Sequence, residues 1–118
     1  MKVWNFGIIG AGLIADFHAR AVGEIDNAKL AGFFDTNSGN SKKLAEKYSA
    51  KSFNTLEEML NNRQIDAVSI ATPSGAHMEP AIAAAETGKH VLCEKPLEIT
   101  LARIDAMIEA HNKSGTVL

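Results

Sequence analysis

The chain has 118 residues, of which 46% are hydrophobic, so we expect a single domain with a substantial buried core. Its formal net charge of −2 excludes the positive field that nucleic-acid binding requires. No run of about 18 uninterrupted apolar residues is present, so we expect no membrane partner either. The single cysteine cannot form a disulfide within the chain, which favours a reducing, cytoplasmic setting.

Strand and helix signals alternate along the first half of the chain. Continuous apolar runs indicate strands that are covered on both faces, and Ser, Thr or Asn before a periodic segment indicates a helix start. The predicted elements are a strand at Val3–Ile9, a helix at Leu13–Val22 that Gly23 ends, a strand at Lys29–Phe34, a helix that Ser38 or Asn40 caps and that runs to about Tyr48, a short strand at Lys51–Phe53 and a helix from Thr55.

The same alternation continues in the second half. Pro80 fits the first turn of a helix better than its interior, so that helix is predicted to start near His77 and to end at Gly88. It lies between strands at Ala67–Ala71 and Val91–Cys93. A long helix follows, capped by Thr100 and ended by Gly115, with a predicted inner face of Leu101, Ile104, Ile108 and His111.

The last three residues, Thr116–Leu118, resemble the opening of a sixth strand. We therefore expect residues 1–118 to be part of a longer protein. Repeated strand–helix units predict an α/β fold with a doubly wound parallel sheet.

The most informative motif is Gly10-x-Gly12-x-x-Ala15, which follows the first strand and opens the first helix. Gly10 permits a tight turn, Gly12 lets the backbone approach a pyrophosphate, and Ala15 lets the helix pack closely on the strand. Asp35 follows twenty residues after Ala15, where a carboxylate can accept hydrogen bonds from the adenosine ribose. The motif predicts a Rossmann fold that binds NAD. Lys42 and Lys43 leave NADP open.

Polar residues follow three of the predicted strands. Asp35 with Thr36, then Thr72-Pro73-Ser74, and then Glu94-Lys95-Pro96 all come at carboxyl ends of strands. Ligands of doubly wound sheets bind at that edge, so we expect these side chains to converge on one site.

Three motifs together resemble the Gfo/Idh/MocA oxidoreductase family. They are Gly10-x-Gly12-Leu13-Ile14-Ala15-x-x-His18, then Thr72-Pro73-Ser74-x-x-His77, and the discriminating run Gly88-Lys89-His90-Val91-Leu92-Cys93-Glu94-Lys95-Pro96-Leu97. The resemblance covers the whole chain as the nucleotide-binding half of that family. It implies hydride transfer between NAD or NADP and a sugar, inositol or related polyol, with a second α/β domain that supplies the substrate pocket and a further catalytic histidine.

The resemblance also implies roles for individual residues. Lys95 is the expected catalytic residue, because a cation beside the reacting hydroxyl stabilises the developing alkoxide. Glu94 is expected to orient Lys95 or to contact the cofactor, and His77 to contact cofactor or substrate. The expected cofactor-binding set is Gly10, Gly12, Leu13, Ile14, Asp35, Thr36, Thr72, Pro73, Ser74, His77, Glu94, Lys95 and Pro96.

No metal site is expected, because His90 and Cys93 are three apart on a strand and point to opposite faces. We expect His18 and His111 to have structural roles. Alone, residues 1–118 are expected to bind NAD(H) but to turn over little, and an exposed apolar face is expected to favour homo-oligomers. Two alternatives stay open: an S-adenosylmethionine-dependent methyltransferase, and a stand-alone nucleotide-binding or sensing module.

Overall fold

The computed structural model describes all 118 residues, and strands alternate with helices along the whole chain. There are five strands and five helices. They are β1 (Trp4–Ile9), α1 (Leu13–Gly23), β2 (Ala28–Phe34), α2 (Ser38–Tyr48), β3 (Lys51–Ser52), α3 (Leu56–Leu60), β4 (Ala67–Ile70), α4 (Met78–Glu86), β5 (His90–Cys93) and α5 (Leu101–Ser114).

All the strand pairs are parallel, and the strands lie in the order β3-β2-β1-β4-β5. The chain therefore builds outward from β1 to β3 and then crosses back to place β4 on the other side of β1. The connections after β1 and β4 lead to helices on opposite faces of the sheet, which opens a crevice between them at the carboxyl edge. The prediction of a doubly wound parallel α/β sheet is confirmed.

The sheet separates two cores. On one face, α1 and α2 pack against Ile8 and Phe33, and both of those side chains are fully buried. On the other face, α3, α4 and α5 pack against a larger cluster that includes Ile9, Val68 and Ile70. Because neighbouring residues of β1 enter different cores, this central strand has an apolar run rather than an alternating pattern.

The helix ends follow the sequence signals in part. Thr100 caps α5 by accepting a hydrogen bond from the N–H of Arg103 at 3.2 Å, and Gly115 ends that helix with φ of +71°, as predicted. The N-cap of α2 is Asn37, whose side chain accepts from Gly39 and Asn40, so the prediction of Ser38 or Asn40 is wrong. Gly23 is the last residue of α1 rather than the residue after it.

The predicted inner face of α5 is only partly correct. His111 and Met107 are buried, whereas Leu101 is 79% exposed and Ile108 is 43% exposed. The buried stripe passes through residues four apart at Met107 and His111, and Leu101 and Ile108 lie on the flank that the neighbouring elements leave uncovered. The apolar surface of this helix is therefore wider than the face that it buries.

No sixth strand forms at Thr116–Leu118, although the N–H of Val91 donates to the carbonyl oxygen of Val117 at 2.9 Å. A single hydrogen bond of this kind does not establish a ladder.

The longest helix, α5, has 14 residues, and none of the helices combines the length and hydropathy that a membrane span needs.

Candidate cofactor-binding site

The turn between β1 and α1 requires glycine at position 10. Gly10 has φ of +99°, and a Cβ placed on it would lie 2.7 Å from the carbonyl oxygen of Ala71 at the end of β4. The N–H of Gly10 also donates to the carbonyl oxygen of Phe34 at 2.7 Å. The turn is therefore held against the ends of both neighbouring strands, and a side chain there would separate them.

The start of α1 is open. Gly12 is the N-cap residue, and no side chain accepts a hydrogen bond from the first turn. A Cβ placed on Gly12 would meet no atom within 4 Å, so packing within the chain does not require glycine here. The backbone N–H groups of Gly12, Leu13 and Ile14 lie at the positive end of the helix dipole, which is an arrangement that binds phosphate. The residues present therefore fit a pyrophosphate.

Asp35 closes the other side of the turn. Its Oδ2 accepts a hydrogen bond from the N–H of Ala11, and its Oδ1 accepts one from the N–H of Asn37, both at 2.7 Å. An ionised carboxylate has about four acceptor positions, so each oxygen keeps a free one. The half-buried side chain can hold the turn and still accept hydrogen bonds from a ligand hydroxyl.

These elements line a cleft of about 510 Å³ at the carboxyl edge of the sheet. Its volume falls in the range of about 300–1,000 Å³ that is usual for small-molecule sites. The ends of β1, β2 and β4 all contribute to its walls. Eight of the residues expected from the sequence line it: Gly10, Gly12, Leu13, Ile14, Asp35, Thr36, Thr72 and Pro73.

The loop after β4 forms one wall of the cleft. The hydroxyl of Thr72 donates to the carbonyl oxygen of Ala76 at 2.9 Å, and Gly75 within this loop has φ of +86°. Pro73 lines the cleft, whereas Ser74 is exposed and lies outside it. Thr72 therefore fixes the loop that carries the other two residues.

His77 does not reach the cleft. It is 1% exposed, and its ring contacts backbone carbonyl oxygens: Nε2 lies 2.9 Å from that of Thr72, and Nδ1 lies 2.9 Å from that of Pro96. The imidazole thus joins the loop after β4 to the loop after β5. His77 is a structural link between two loops that carry site residues, and the contact with cofactor or substrate expected from the sequence stays a prediction.

The segment Glu94-Lys95-Pro96 lies at the same edge of the sheet, beyond the cleft. The N–H of Glu94 donates to the carbonyl oxygen of Ile70 at 3.0 Å, so Glu94 still pairs with β4 and Lys95 is the first residue past the ladder. Lys95 and Pro96 are exposed, and the peptide bond between them is cis. The Lys95 ammonium forms no hydrogen bond or ion pair within the chain.

Glu94 pairs with His18 on α1, not with the Lys95 ammonium. Its Oε2 lies 2.8 Å from Nε2 of His18, and its Oε1 accepts the backbone N–H of Lys95 at 3.2 Å. The hydrogen bond from His18, followed by that from Lys95, holds the pKa of Glu94 below its ordinary value. No direct ion pair therefore joins Glu94 to the Lys95 ammonium, and the expectation that Glu94 orients Lys95 or contacts the cofactor stays a prediction.

The chain matches the GFO_IDH_MocA model, an oxidoreductase family with an NAD-binding Rossmann fold, over residues 4–118. The chain belongs to this family. It is 40% identical over 103 residues to glucose-6-phosphate 3-dehydrogenase from Bacillus subtilis (strain 168), covering 87% of this chain and 29% of the relative. It is 35% identical to myo-inositol 2-dehydrogenase from Thermotoga maritima, covering 97% of this chain and 34% of that one.

A solved structure also resembles this chain in sequence and fold. The WlbA dehydrogenase from Bordetella pertussis, in complex with NADH and UDP-GlcNAcA, is 32% identical with a TM-score of 0.93, over 98% of this chain and 35% of that one. The chain spans about a third of the length of the relatives it matches. The resemblance drawn from the sequence motifs and the NAD-binding Rossmann fold are confirmed, and the methyltransferase alternative receives no support.

The sequence predicted a structural role for His18 of this Gfo/Idh/MocA chain but not its partners. The ring lies between Glu94 and Ser69 of β4, whose hydroxyl contacts its Nδ1. The three residues are far apart in the sequence and meet only because β1, β4 and β5 are neighbours and α1 returns over them. The sequence feature that could have indicated this contact is the position of His18 at the end of the Gly10–His18 motif.

The side chains of His111 and Cys93 serve the fold. His111 is buried, with its ring against the hydroxyl of Thr116 at 2.7 Å and the carbonyl oxygen of Ala81 at 3.1 Å, which confirms its structural role. Burial raises the pKa of the half-buried Cys93 thiol to about 11, and the carboxylates of Glu98 and Glu94 add to this effect. Cys93 is therefore a protonated, unreactive thiol at neutral pH.

A second cleft, also of about 510 Å³, lies at the amino edge of the sheet. Most of its charged groups are already used: Lys2 pairs with Asp66 at 3.1 Å, and the buried Lys89 ammonium donates to the carbonyl oxygens of Asn62 and Ile65, whereas the exposed Arg63 keeps a free guanidinium. Burial lowers the pKa of Lys89. The carboxyl edge is the candidate cofactor site because it combines the open N–H groups at the start of α1 with the carboxylate of Asp35.

Proposed function

We propose that this chain is the cofactor-binding part of an NAD-dependent oxidoreductase that transfers a hydride between the nicotinamide and a sugar, an inositol or a related polyol. The observation that carries the proposal is the open glycine turn at α1, which shares one sheet edge with Asp35 and Lys95. The substrate class follows the relatives, whose names describe dehydrogenases of a sugar phosphate and of an inositol.

The proposed adenosine and pyrophosphate end lies at β1 and β2. The N–H groups of Gly12, Leu13 and Ile14 would hold the phosphates, and Asp35 would accept hydrogen bonds from the ribose hydroxyls, with Thr36 beside it. The Asp35 carboxylate would repel a 2′-phosphate, which favours NAD. Lys43 lines a neighbouring groove and keeps NADP as a weaker ligand.

The proposed reacting end lies at β4 and β5. Bound NAD would supply the hydride acceptor or donor there. In the reduction direction the Lys95 ammonium would stabilise the developing alkoxide and donate a proton to it from Nζ. In the oxidation direction the neutral Lys95 amine would accept the hydroxyl proton as the hydride leaves the carbon. The residues Thr72, Pro73, Ser74, Glu94 and Pro96 would border the nicotinamide and its ribose.

The same geometry argues that residues 1–118 alone turn over little. Hydride transfer needs a positioned base and a pocket that excludes water, and Lys95 is exposed with no enclosing wall. We propose that a second domain of the whole protein supplies the walls of this pocket and a further catalytic group. A stand-alone sensor would need the cofactor cleft but not Lys95.

We also propose that the chain associates with a second copy and works in a reducing, cytoplasmic setting. Support for association comes from an apolar sheet face that includes Trp4, Phe6, Leu92 and Val117, of which the last two are 60% and 66% exposed. Support for the setting is the unpaired thiol of Cys93.

Calorimetric titration of the chain with NADH, NADPH and S-adenosylmethionine tests the proposal. We expect NADH to bind more tightly than NADPH and S-adenosylmethionine to give no heat. The matched variant Gly12→Val places a branched side chain in the open space of the turn, so it should abolish NADH binding without unfolding the chain. Equal NADH binding by both forms would contradict the site, and binding of S-adenosylmethionine alone would contradict the function.

A further inference from the structure

A three-residue network links α1 to the end of β5. His18 lies between the hydroxyl of Ser69, which its Nδ1 contacts, and the carboxylate of Glu94, which lies 2.8 Å from its Nε2. Ser69 is 1% exposed, and the His18 and Glu94 side chains are 17% and 30% exposed. The ring is thus held from both sides and is mostly, though not fully, buried.

The network continues into the backbone at Lys95. The second carboxylate oxygen of Glu94 accepts the N–H of Lys95 at 3.2 Å, immediately after the last ladder bond of the strand. This is the one hydrogen bond that Lys95 makes, since its ammonium has no partner within the chain. The carboxylate of Glu94 is therefore the only group that connects His18 with the residue carrying the proposed reacting cation.

The hydrogen-bond donors and acceptors of Glu94, His18 and Ser69 determine where the protons of the network lie. The lowered pKa of Glu94 keeps its carboxylate ionised at neutral pH, and an ionised carboxylate only accepts. Nε2 of His18 must therefore carry a proton. The Ser69 hydroxyl can donate to Nδ1 of a neutral ring or accept from a charged one, so the network is complete in either state.

We propose that His18 is a positioning residue for Lys95: through Glu94, its imidazole sets the backbone conformation from which the Lys95 ammonium meets the nicotinamide. The role rests on the proposed function, since it requires a nicotinamide at this edge. It goes beyond that function by giving the first helix, which binds the phosphates at its start, a second task at the reacting end.

The test uses nuclear magnetic resonance on the isotope-labelled 118-residue chain with NADH. The first measurement is the ¹⁵N spectrum of the His18 ring without ligand. We expect Nε2 to be protonated, and a neutral ring protonated at Nδ1 alone would overturn the proposal. This measurement needs no variant.

The second measurement compares His18→Leu, which removes the donor, with His18→Gln, which places an amide N–H near the position of Nε2. We expect His18→Leu to shift the Lys95 amide proton and to lose the contact between the Lys95 side chain and the nicotinamide, and His18→Gln to restore both. Contacts of the adenine with residues beside Asp35 should persist in both variants. A purely structural role for His18 would disturb both ends together and would not be rescued selectively.

The two ideas fail separately. If NADH binds to the natural chain but its nicotinamide never contacts Lys95, the proposed function is overturned and the positioning role falls with it. If the contact is present in the natural chain and remains, with an unchanged Lys95 amide signal, in His18→Leu, only the positioning role is overturned. If His18→Leu does not fold, Glu94→Gln replaces it, and an unchanged Lys95 amide in that variant would likewise overturn the role.

Discussion

The carboxylate of Asp35 accepts a hydrogen bond from the backbone N–H of Ala11 at 2.7 Å, and this contact joins the end of β2 to the glycine turn after β1. The residue expected to recognise the ribose therefore also holds the turn expected to bind the phosphates. The two ends of the adenosine site are coupled through one side chain, and substitutions at Asp35 should change stability and ligand preference together.

Replacing Asp35 with asparagine should show both effects. An amide has a single acceptor oxygen, so either Ala11 or Asn37 loses its partner, and we expect the free energy of unfolding to fall by about 1–2 kcal/mol. Removing the charge should also lower the preference for NADH over NADPH. Denaturant unfolding and titration with both nucleotides measure these effects. Asp26→Asn, at an exposed position without a hydrogen bond, is the matched control. An unchanged nucleotide preference would show that Asp35 does not face the ribose.

Substitution by alanine should lower the free energy of unfolding strongly at Gly10 and hardly at all at Gly12. Gly10→Ala forces a side chain into a positive φ and against the carbonyl group of Ala71, so we expect a loss of about 2 kcal/mol or more in the free energy of unfolding. Gly12→Ala meets no atom of the chain and has an extended backbone, so its stability should change by less than about 0.5 kcal/mol.

The affinity for NADH is the second quantity that we expect the glycine substitutions to change. The methyl group of Gly12→Ala should occupy space that the pyrophosphate needs, and we expect NADH affinity to fall by about tenfold, or about 1.4 kcal/mol. Thermal unfolding and calorimetry on the same samples give both quantities. Normal NADH affinity in Gly12→Ala would place the phosphates elsewhere.

Glu98 should make the fold sensitive to acid. This buried side chain accepts backbone N–H groups of His77, Met78 and Ile99 at 3.1, 2.9 and 2.8 Å, and so it caps the start of α4 from a distant loop. Burial by itself raises the pKa of Glu98, but these N–H donors together with Arg103 outweigh burial, and the net pKa is lowered.

A folded-state pKa below that of the unfolded chain contributes stability that is present above the unfolded value and is lost as the pH falls through the folded value. We therefore expect stability to decline below about pH 4.3, the ordinary range for glutamate, and Glu98→Gln to be less stable at neutral pH with a flatter decline in acid. Unfolding curves at a series of pH values test this. Glu109→Gln, on the exposed side of α5, should retain the natural pH profile. An equally steep acid decline in both variants would assign the effect to other carboxylates.

Charge on the uncovered sheet face should reduce self-association. Leu92 is 60% exposed beside Trp4, Phe6 and Val117, and a glutamate there would repel a second copy without disturbing the buried core. We expect Leu92→Glu to lower the weight-average mass in multi-angle light scattering. Leu101→Glu, at an exposed position on another face, is the control. Equal masses for both variants and the natural chain would rule out this face as the contact.

Much of the fold was predictable because each element has a local signal. The apolar runs of β1 and β4, the Thr100 cap and the end of α5 at Gly115 all depend on residues that are adjacent in the sequence. The orientation of α5 was not predictable from its periodicity, because the stripe through Leu101 and Ile108 is as apolar as the stripe that is buried. Which stripe is covered depends on how α5 packs against α4.

The candidate site also contains residues that the sequence predicted and contacts that it could not predict. Gly10, Gly12 and Asp35 were predictable because a phosphate turn and its acidic partner have a fixed spacing. The links from His77 to Pro96 and from His18 to Glu94 were not, since each joins residues that only the strand order brings together. Those links explain why two histidines in family-like motifs lie beside the site rather than in it.

A crystal structure of the chain soaked with NADH tests the central claim most directly. We expect the pyrophosphate against the N–H groups of Gly12, Leu13 and Ile14, the adenosine ribose on Asp35, and the nicotinamide within contact of the Lys95 ammonium. An occupied second cleft with an empty carboxyl edge, or a bound nicotinamide from which Lys95 points away, would contradict the account.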